Sequence, residues 1–338
     1  NPIKGEPFTV NGGHILSLYK TCEGSKYECE KSRIDEISVD DYISQSNNYK
    51  HLHKLYKPKF IDFVKKEPVI EPYFLGLYLG DGSSVCGVNI TTQRREVVEF
   101  LYNMVSKYDM KISKYTKPDN LASSYAFSNI KVSCSNPNKI IDYLNKLNLK
   151  GVTSGFKFIP FEYKTSSRTD RLELLAGLLD TDAYYDQRKN MFEYCSKSIQ
   201  LSEDVVFLCR SLGFFAQIGK TKIVKDEKYY RIQISGDLDT VPIKVEIRKA
   251  KPREQKKSVL VTGFDVKYKG KGNYYGFTID GNHLYCDHQL FVHHNSGKSH
   301  VIADIAARLN APILIFQPSK EILQQNFAKM QAVQPFGC

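Results

Sequence analysis

Two apolar segments, each with a glycine near its middle and an aspartate near its end, hold the strongest candidates for chemistry in this chain. They are YFLGLYLGDG at residues 73–82 and LLAGLLDTDA at residues 174–183. The glycines are Gly76 and Gly177, and the aspartates that follow them at equal distance are Asp81 and Asp182. A glycine inside a helix costs about 1 kcal/mol relative to alanine, and the repetition of this cost predicts two helices whose backbones are in close contact at the glycines.

Such a helix pair would bring the two carboxylates together at one end of the seam. Two carboxylates at one site cannot both stay charged without a cation between them, and Mg²⁺ is the usual one. Metal-bound carboxylates can activate water and stabilise phosphoryl oxygens in phosphodiester cleavage. The pattern by itself leaves a second interpretation open, in which the aspartates only cap the ends of a buried helix pair.

The segments around the two helices repeat one order of elements. Residues 85–165 alternate strand-like pieces, VCGVNITT and AFSNIKVSC, with helical ones, RREVVEFLYNMVSKY and NKIIDYLNKLNL. About 100 residues later, Ser167 and Asp170 form a capping-box signal for the second helix. Strand-like FEYCSKS and helix-like SEDVVFLCRSLGF follow it. We therefore predict the duplication of one supersecondary unit.

Segments 74–82 and 175–183 resemble the two motifs of the LAGLIDADG (dodecapeptide, DOD-type) homing endonucleases. Two neighbouring segments support this resemblance, Ile159-Pro160 before the second motif and FLCRSLGF at 207–214 after it. The resemblance covers about residues 70–236. It implies a pseudo-symmetric αββαββα fold in a monomeric pseudo-dimer, whose two sheets form a saddle over the major groove of double-stranded DNA. It also implies dependence on Mg²⁺ and staggered cutting of a long recognition site.

The resemblance assigns roles to individual residues. It implies that Asp81 and Asp182 bind the metal and act in catalysis, with Lys197, chosen by its position, as an assisting basic residue. The second motif ends in Ala183, where the family usually has glycine. Because alanine is the smallest change, we expect poorer packing there more than lost chemistry.

The charge of the chain favours a polyanionic partner, nucleic acid above all. There are 48 Lys and Arg against 37 Asp and Glu, a formal net charge of +11. The run RKAKPREQKK at 248–257 contains six basic residues and one acid. We predict contacts to the DNA backbone for its basic residues, and a solvated linker is the alternative. These residues are Arg248, Lys249, Lys251, Arg253, Lys256 and Lys257.

The second candidate for chemistry is His294-Asn295-Ser296. An asparagine amide can attack its own backbone carbonyl and break the chain after it, with histidines assisting the proton transfers. A hydroxyl directly after the asparagine can accept an acyl chain as nucleophile. Five of the eight histidines lie between residues 283 and 300, and their spacing fits no standard zinc site.

The residues after this triplet explain why it matters. Gly297-Lys298-Ser299 looks like the end of an ATP-binding P-loop, which needs a glycine five positions before Gly297. Val292 stands there instead, although the helical and buried-strand segments that should follow a P-loop, SGKSHVIADIAARLN and APILIFQP, are present. Removal of everything up to Asn295 would restore the loop. The sequence thus predicts protein splicing, after which the host P-loop binds ATP.

The segment from YYGFTIDGNH through FVHHN resembles the C-terminal splicing blocks of inteins. In this resemblance His283 is the assisting block F histidine, and His294 is the penultimate histidine. Asn295 is the terminal cyclising asparagine, and Ser296 is the first extein residue. No metal or cofactor is implied for splicing itself.

The beginning and the end of the chain carry two further resemblances. Residues 11–14, NGGH, resemble the intein block B motif, which implies that His14 activates the first splice junction. The first intein residue, a Cys or Ser nucleophile, is then expected before Asn1. From Ser296 onward, with QPSKE at 317–321, the chain resembles a superfamily 2 helicase.

These resemblances predict an α+β multidomain protein, an N-terminally truncated intein that interrupts the P-loop of a DNA helicase. A split, β-rich Hint splicing domain is expected at 1–65 (with a linker) and 251–295, and the LAGLIDADG endonuclease is expected at 66–250. The start of a RecA-like α/β helicase domain, the C-extein, is expected at 296–338, so the flanking helicase exteins are partners.

Cysteine usage and hydropathy bear on the location of the protein. The eight cysteines form no CxxC pair and fit scattered reduced thiols. We expect a cytoplasmic protein, or one of the nucleoid or host-cell interior if a phage encodes it. Because no run of 18 apolar residues exists, no membrane partner is expected.

Three alternatives stay open. A free-standing LAGLIDADG endonuclease or RNA maturase would explain the two aspartate helices but not the split P-loop. A P-loop ATPase with an insertion that is never removed would lack a required glycine and should not bind ATP. A decayed endonuclease would leave an intein that only splices or only binds DNA.

Overall fold

The computed structural model describes residues 1–21, 33–116, 121–130, 138–253, 258–273, 279 and 281–294. The chain divides into two compact units. The first unit contains residues 1–57 and the described residues from 261 onward, and the second unit contains residues 58–260. The predicted splice junction, P-loop and helicase segment lie outside the described residues.

The described residues form helices and strands with the following bounds. The helices are α1 (Val39–Ser44), α2 (Asn47–Leu52), α3 (Pro72–Asp81), α4 (Arg95–Lys107), α5 (Lys139–Lys146), α6 (Phe161–Lys164), α7 (Arg168–Asp182) and α8 (Ile199–Ser211). The strands are β1 (Ile15–Lys20), β2 (Arg33–Ser38), β3 (His53–Tyr56), β4 (Gly82–Ser83), β5 (Asn89–Thr92), β6 (Met110–Thr116), β7 (Ser123–Asn129), β8 (Ala183–Asp186), β9 (Met191–Ser196), β10 (Phe215–Ile218), β11 (Lys222–Val224), β12 (Glu227–Ser235), β13 (Val261–Thr262), β14 (Leu284–Cys286) and β15 (Val292–His294).

The first unit is built on a four-stranded antiparallel sheet in the order β13-β3-β1-β2. Leu16 and Leu18 of β1 pack with Tyr42 and Phe291 in a small hydrophobic core. Strands β14 and β15 form a separate antiparallel pair. The β-rich character predicted for this part of the chain is present, and its assignment to the Hint fold stays a prediction.

The second unit contains the same order of elements twice. The first copy runs α3-β4-β5-α4-β6-β7, followed by α5, and its sheet has the order β4-β5-β7-β6. The second copy runs α7-β8-β9-α8-β10-β12, and its sheet has the order β10-β12-β9-β8, with β11 paired to β12. One hydrophobic core includes residues of both copies. The predicted duplication and the mixed α/β character of this unit are confirmed.

The two central helices of this unit, α3 and α7, begin at local signals in the sequence. Pro72 is the first residue of α3, where a missing backbone N–H is harmless, and at α7 the Ser167 hydroxyl accepts from the backbone N–H of Asp170 at 3.2 Å. Residues 73–79 and 174–180 are buried without a polar face, as expected for helices covered on all sides.

Two general features of the chain bear on its sequence predictions. Among the described residues, no helix has the length and apolar character needed to span a bilayer. Four described cysteines, at positions 86, 195, 209 and 286, are free thiols.

Candidate active site

The two glycines of the predicted motifs face each other between α3 and α7. A Cβ atom at Gly76 would lie 2.9 Å from the Cα of Gly177, and a Cβ atom at Gly177 would lie 3.0 Å from the Cα of Gly76. Each would also overlap a backbone carbonyl of the opposite helix, that of Leu174 or of Tyr73. The close backbone contact predicted from the paired glycines is therefore confirmed, and any side chain at these positions would separate the helices.

The seam ends at Asp81 and Asp182, the last residues of α3 and α7. Both side chains are reached by solvent, yet the surrounding protein displaces much of the water that would stabilise their charge. This desolvation raises the pKa of Asp81 and, together with the charge of Asp81, raises the pKa of Asp182 to about 7. Asp81 is near enough for its charge to disfavour the ionisation of Asp182, and the two carboxylates form an accessible anionic site.

Lys157 is a buried lysine at the end of α3 that the sequence analysis did not select. Its side chain is 3% exposed, and burial lowers its pKa to about 8, against the opposing charges of Asp182 and Asp81. Its ammonium donates hydrogen bonds of 2.8 to 3.3 Å to backbone carbonyls at the end of the helix. The acceptors are Tyr78, Leu79, Gly80 and Gly82. Lys157 therefore caps α3 and places a positive charge beside both carboxylates.

Arg248 has the corresponding role at the end of α7. Its half-buried guanidinium donates a 3.0 Å hydrogen bond to the backbone carbonyl of Leu179. Its charge works to lower the pKa of both Asp81 and Asp182. The sequence analysis placed Arg248 in a DNA-binding run, and the structure adds a contact inside the protein that the charge pattern did not predict.

Asp180 fixes the segment that leads to Arg248. It is 2% exposed, and its carboxylate accepts hydrogen bonds from the backbone N–H groups of Lys244 at 2.8 Å and Val245 at 3.3 Å. The basic side chain is thus attached to α7 through a buried acid two residues before Asp182. The sequence shows this acid only as one of the two acids in the second motif, which gives no sign of its partners.

The donor set suits a divalent cation that retains water ligands. Among the described residues, no group of three or more His, Cys, Asp or Glu side chains could hold a metal, so the site offers two carboxylates. Mg²⁺ is commonly bound through one or two carboxylates, with water and phosphate oxygens as its other ligands. An open pocket of about 430 Å³ adjoins Asp182, with Arg94 and Arg248 in its lining. A cation between the carboxylates would relieve their mutual repulsion.

Ala183, the departure from the family motif, causes no backbone strain. It is the first residue of β8, 4% exposed, with φ −101° and ψ 142°. Any residue adopts this extended conformation, so alanine is compatible with this end of the helix.

Lys197 lies between β9 and α8. Its ammonium forms an ion pair with Glu227 and lies 5.4 Å from the ring centre of Tyr229. The basic groups whose charges act on Asp81 are instead Lys157 and Arg248. The assisting role of Lys197 stays a prediction.

The rest of the basic run is only partly described. Its described members beyond the first are exposed, and they are Lys249, Lys251 and Arg253. Lys256 and Lys257 lie outside the described residues. Exposure keeps these side chains available to a polyanion, and their contacts to DNA stay a prediction.

In the first unit, histidines from distant parts of the chain lie near one another. The ring centre of His14, a buried residue, is 6.0 Å from that of His293, and the ring centres of His283 and His294 are 5.8 Å apart. Leu284 pairs with His294 across the β14–β15 ladder. The fold thus brings two predicted splicing histidines, His283 and His294, together and places the third, His14, beside His293. The other predicted residues of this region lie outside the described part, and they are Asn295, Ser296, Gly297, Lys298 and Ser299.

His293 had no role in the sequence analysis, although the structure fixes it firmly. Its side chain is 4% exposed, and its Nε2 lies 3.2 Å from Oδ2 of Asp287. Burial works to raise the pKa of Asp287, but hydrogen bonds from His293 and from the backbone of Phe291 and Gln289 hold it below its ordinary value. A charged Asp287 therefore orients the His293 ring, whose edge packs on Phe8 at 4.6 Å between ring centres.

Comparison with known proteins identifies the second copy in the second unit. Residues 169–247 match the family model of the LAGLIDADG-like domain. This part of the chain is a LAGLIDADG domain. The LAGLIDADG match includes Asp182, the strands β8 to β12 and Asp180 with its backbone partners, and it ends one residue before Arg248. The resemblance of the second motif to this family is confirmed.

The chain is also similar to a helicase. It is 26% identical over 171 residues to the replicative DNA helicase DnaB of Mycobacterium intracellulare, a match that covers 51% of this chain and 24% of the relative. The chain thus spans about a quarter of that relative's length. A LAGLIDADG domain in a chain related to a helicase fits an intein with an inserted LAGLIDADG endonuclease.

Several solved structures are similar to about half of the chain. One contains mesophilic variants of the homing endonuclease I-DmoI, with 17% identity, a TM-score of 0.36, and coverage of 50% of this chain and 90% of that chain. Another is I-DmoI in complex with DNA and Mn, with 16% identity, a TM-score of 0.35 and the same coverage. A third is the N-terminal LAGLIDADG domain of DUF199/WhiA, with 10% identity, a TM-score of 0.33, and coverage of 52% and 80%.

Proposed function

We propose that the second unit is a divalent-cation-dependent endonuclease that hydrolyses phosphodiester bonds at a long, specific site in double-stranded DNA. The observation that carries this proposal is the pair Asp81 and Asp182, which the glycine contact between α3 and α7 holds at one accessible place. The confirmed LAGLIDADG domain and the net charge of +11 support it.

In this function the two aspartates would hold Mg²⁺, which would supply positive charge to phosphate oxygens and make water more acidic. Lys157 and Arg248 fix the ends of α3 and α7 through backbone carbonyls, so that the carboxylates keep their separation. Because the pKa of Asp182 is raised to about 7, protons compete with the cation at and below neutral pH. Cleavage at a limiting Mg²⁺ concentration should therefore rise from pH 6 to pH 8, about one unit on either side of that pKa.

The test uses a plasmid that carries the host-helicase coding sequence without the proposed intein. In it the codons of the upstream extein join directly to the codon of Ser296. We expect D81N and D182N each to lower the cleavage rate by about 100-fold or more. Binding of the same DNA in Ca²⁺ should change little, because the fold and the basic surface are intact. The control is D239N, which alters an exposed carboxylate of the same unit. Cleavage at the wild-type rate in either motif variant would reject the catalytic pair.

A protein that binds DNA without cutting it is the competing function. It predicts an electrophoretic shift without Mg²⁺ and no nicking after Mg²⁺ is added. Nicking that depends on Mg²⁺ and on Asp81 would exclude it.

We further propose that the first unit excises the chain from a helicase precursor by protein splicing. The proximity of His283 and His294 supports this, because the resemblance to inteins gives both histidines an assisting role at the bond after Asn295. The asparagine side-chain nitrogen attacks its own main-chain carbonyl carbon, the bond to Ser296 breaks, and the new amine of Ser296 takes up a proton. Before this cleavage the Ser296 hydroxyl attacks the acyl group that joins the upstream extein to the side chain of the expected first intein residue, whose thiol or hydroxyl leaves and takes up the proton. After cleavage the Ser296 amine attacks the new ester, the hydroxyl is released again, and the peptide bond restores a P-loop that binds ATP.

The splicing proposal is tested by intact mass. The chain is expressed with a cysteine before residue 1 and with both helicase flanks. We expect a ligated host product and an excised product that ends at Asn295. N295A should prevent excision, and N103A, on the exposed face of α4, should not. Ligated host protein from N295A would contradict the proposal.

A further inference from the structure

Tyr194 of β9 has a buried hydroxyl with no hydrogen-bond partner among the described residues. Its side chain is 0% exposed, and in the antiparallel pairing it lies opposite Ala183, the residue after Asp182. The charges of Asp182 and Asp81 both act on the phenol. The hydroxyl therefore lies near the carboxylate pair, on the buried face of the sheet.

Three other buried tyrosines of the second unit donate hydrogen bonds from their hydroxyls. Tyr73 donates to the carboxylate of Asp180, Tyr163 to the carbonyl of Ile70, and Tyr78 to that of Leu149. A buried polar group without a partner is rare in folded proteins, because its desolvation is not compensated. The Tyr194 hydroxyl thus differs from its neighbours in a way that packing does not explain.

The first copy has an apolar residue at the position that is equivalent to Tyr194. Ile90 is opposite Gly82, the residue after Asp81, and is likewise 0% exposed. A hydrocarbon side chain fills that register position without any polar atom. The two copies therefore agree in fold but differ in chemistry, with a phenol beside Asp182 and an isoleucine beside Asp81.

We propose that the Tyr194 hydroxyl holds an ordered water at the Asp182 side of the site. The hydroxyl donates to the water oxygen, and the water donates to the Asp182 carboxylate. Enclosed waters of this kind satisfy buried polar groups and make about three hydrogen bonds each. Tyr194 is then a positioning residue for the half of the site that contains Asp182, and Asp81 has no equivalent. This inference rests on the proposed endonuclease and makes its two halves unequal.

A crystal structure of the metal-free protein tests the water directly. We expect a water about 3 Å from both the Tyr194 Oη and an Asp182 oxygen, and we expect Y194F to lack it. A Tyr194 hydroxyl bonded to a protein group, or surrounded by hydrocarbon without a water, would overturn the inference. This measurement does not depend on catalytic activity.

Strand-resolved cleavage tests the consequence. With the two strands of the target labelled differently, Y194F should slow the cutting of one strand about tenfold and leave the other near its wild-type rate. Its melting temperature should change little, because the variant loses a hydroxyl that bonds to a water and to no described protein group. Y163F is the matched control, since it removes a bonded hydroxyl and should lower the melting temperature without altering the ratio of the strand rates.

The outcomes separate this inference from the function on which it rests. Wild-type rates on both strands in Y194F, or equal slowing of both, would overturn the role of Tyr194 and leave the endonuclease intact. A wild-type protein that cuts neither strand would contradict the endonuclease, and the crystallographic water would still decide whether Tyr194 and Asp182 share it.

Discussion

The hydroxyl of Tyr73, in the first turn of α3, donates a 2.6 Å hydrogen bond to Oδ2 of Asp180, in the last turn of α7. The same oxygen accepts from the backbone N–H of Lys244, on the segment that ends at Arg248. One buried carboxylate therefore links both motif helices to the chain that carries a basic group to the site. Its role is structural, because it holds the segment whose last residue, Arg248, places a charge near Asp182.

Removal of the Asp180 carboxylate should lower the free energy of unfolding more than removal of any one group that donates a hydrogen bond to it. D180A leaves the Tyr73 hydroxyl and the N–H groups of Lys244 and Val245 without an acceptor, and each unsatisfied buried group costs about 1–3 kcal/mol. We expect urea unfolding to show a loss of at least about 3 kcal/mol for D180A and about half of that for Y73F, its control. Equal losses in the two variants would mean that the backbone contacts of Asp180 contribute nothing.

The glycine seam should not tolerate a methyl group. G76A and G177A each place a Cβ against the backbone of the other helix, and backbone cannot rotate away as a side chain can. We expect each to lower the free energy of unfolding by about 3 kcal/mol, the upper end of the cost of overpacking. G155A is the matched control, because a Cβ there meets no atom within 4 Å. A G177A protein as stable as G155A would contradict the close contact.

Lys157 and Lys197 can be compared directly. K157M removes the donor to the last carbonyls of α3, so it should lower the free energy of unfolding by about 3 kcal/mol and reduce cleavage strongly. K197M breaks an ion pair whose lysine is 31% and glutamate 55% exposed, which contributes about 0–1 kcal/mol. Cleavage kinetics and urea unfolding of both variants provide the measurement. A larger loss of cleavage in K197M would favour the role assigned to Lys197 by family position.

The stability of the metal-free protein should depend on the ionisation of Asp182. Its pKa is raised from 3.8 to about 7, and that of Asp81 is raised in the same direction. Between these values the folded state binds more protons than the unfolded state, so the contribution of Asp182 to stability falls as pH rises from 3.8 to about 7. D182N should therefore gain stability relative to wild type between pH 5 and pH 8, measured by urea unfolding.

Saturating Mg²⁺ is the control for this pH effect. A cation between the carboxylates stabilises their charged forms, so the difference between D182N and wild type should shrink or reverse when Mg²⁺ is present. A pH-independent difference without metal would indicate that Asp182 titrates at its ordinary value.

The sequence predicted the helix pair, its glycine contact and its terminal aspartates because all of these depend on local spacing. Gly76 and Gly177 are repeated exceptions to helix propensity, and the start of α7 follows from its capping residues. Lys157 escaped prediction because it caps a helix that ended 76 positions earlier in the chain, and no local pattern records such a contact.

Charge patterns gave only part of the answer at Arg248. The sequence places it in a run of basic residues, where nothing distinguishes a half-buried helix cap from an exposed side chain. Asp180, which fixes this segment through the backbone of Lys244 and Val245, lies in the second motif. The sequence does not distinguish its role from that of Asp182, the other acid of the motif. Tyr194 was also missed, because a sequence does not show which buried hydroxyl has no hydrogen-bond partner. Only the structure shows this for Tyr194, among the described residues.

The sheet of the first unit pairs β3, which ends at Tyr56, with β13, which begins at Val261. About two hundred residues separate these strands, and all of the second unit is synthesised between them. At a translation rate of about 5–20 residues per second, β13 is synthesised about 10–40 s after β3. His283 and His294 emerge later still. Because these histidines are synthesised after residues 58–260, the proposed excision, which needs them, cannot begin before the second unit has been synthesised.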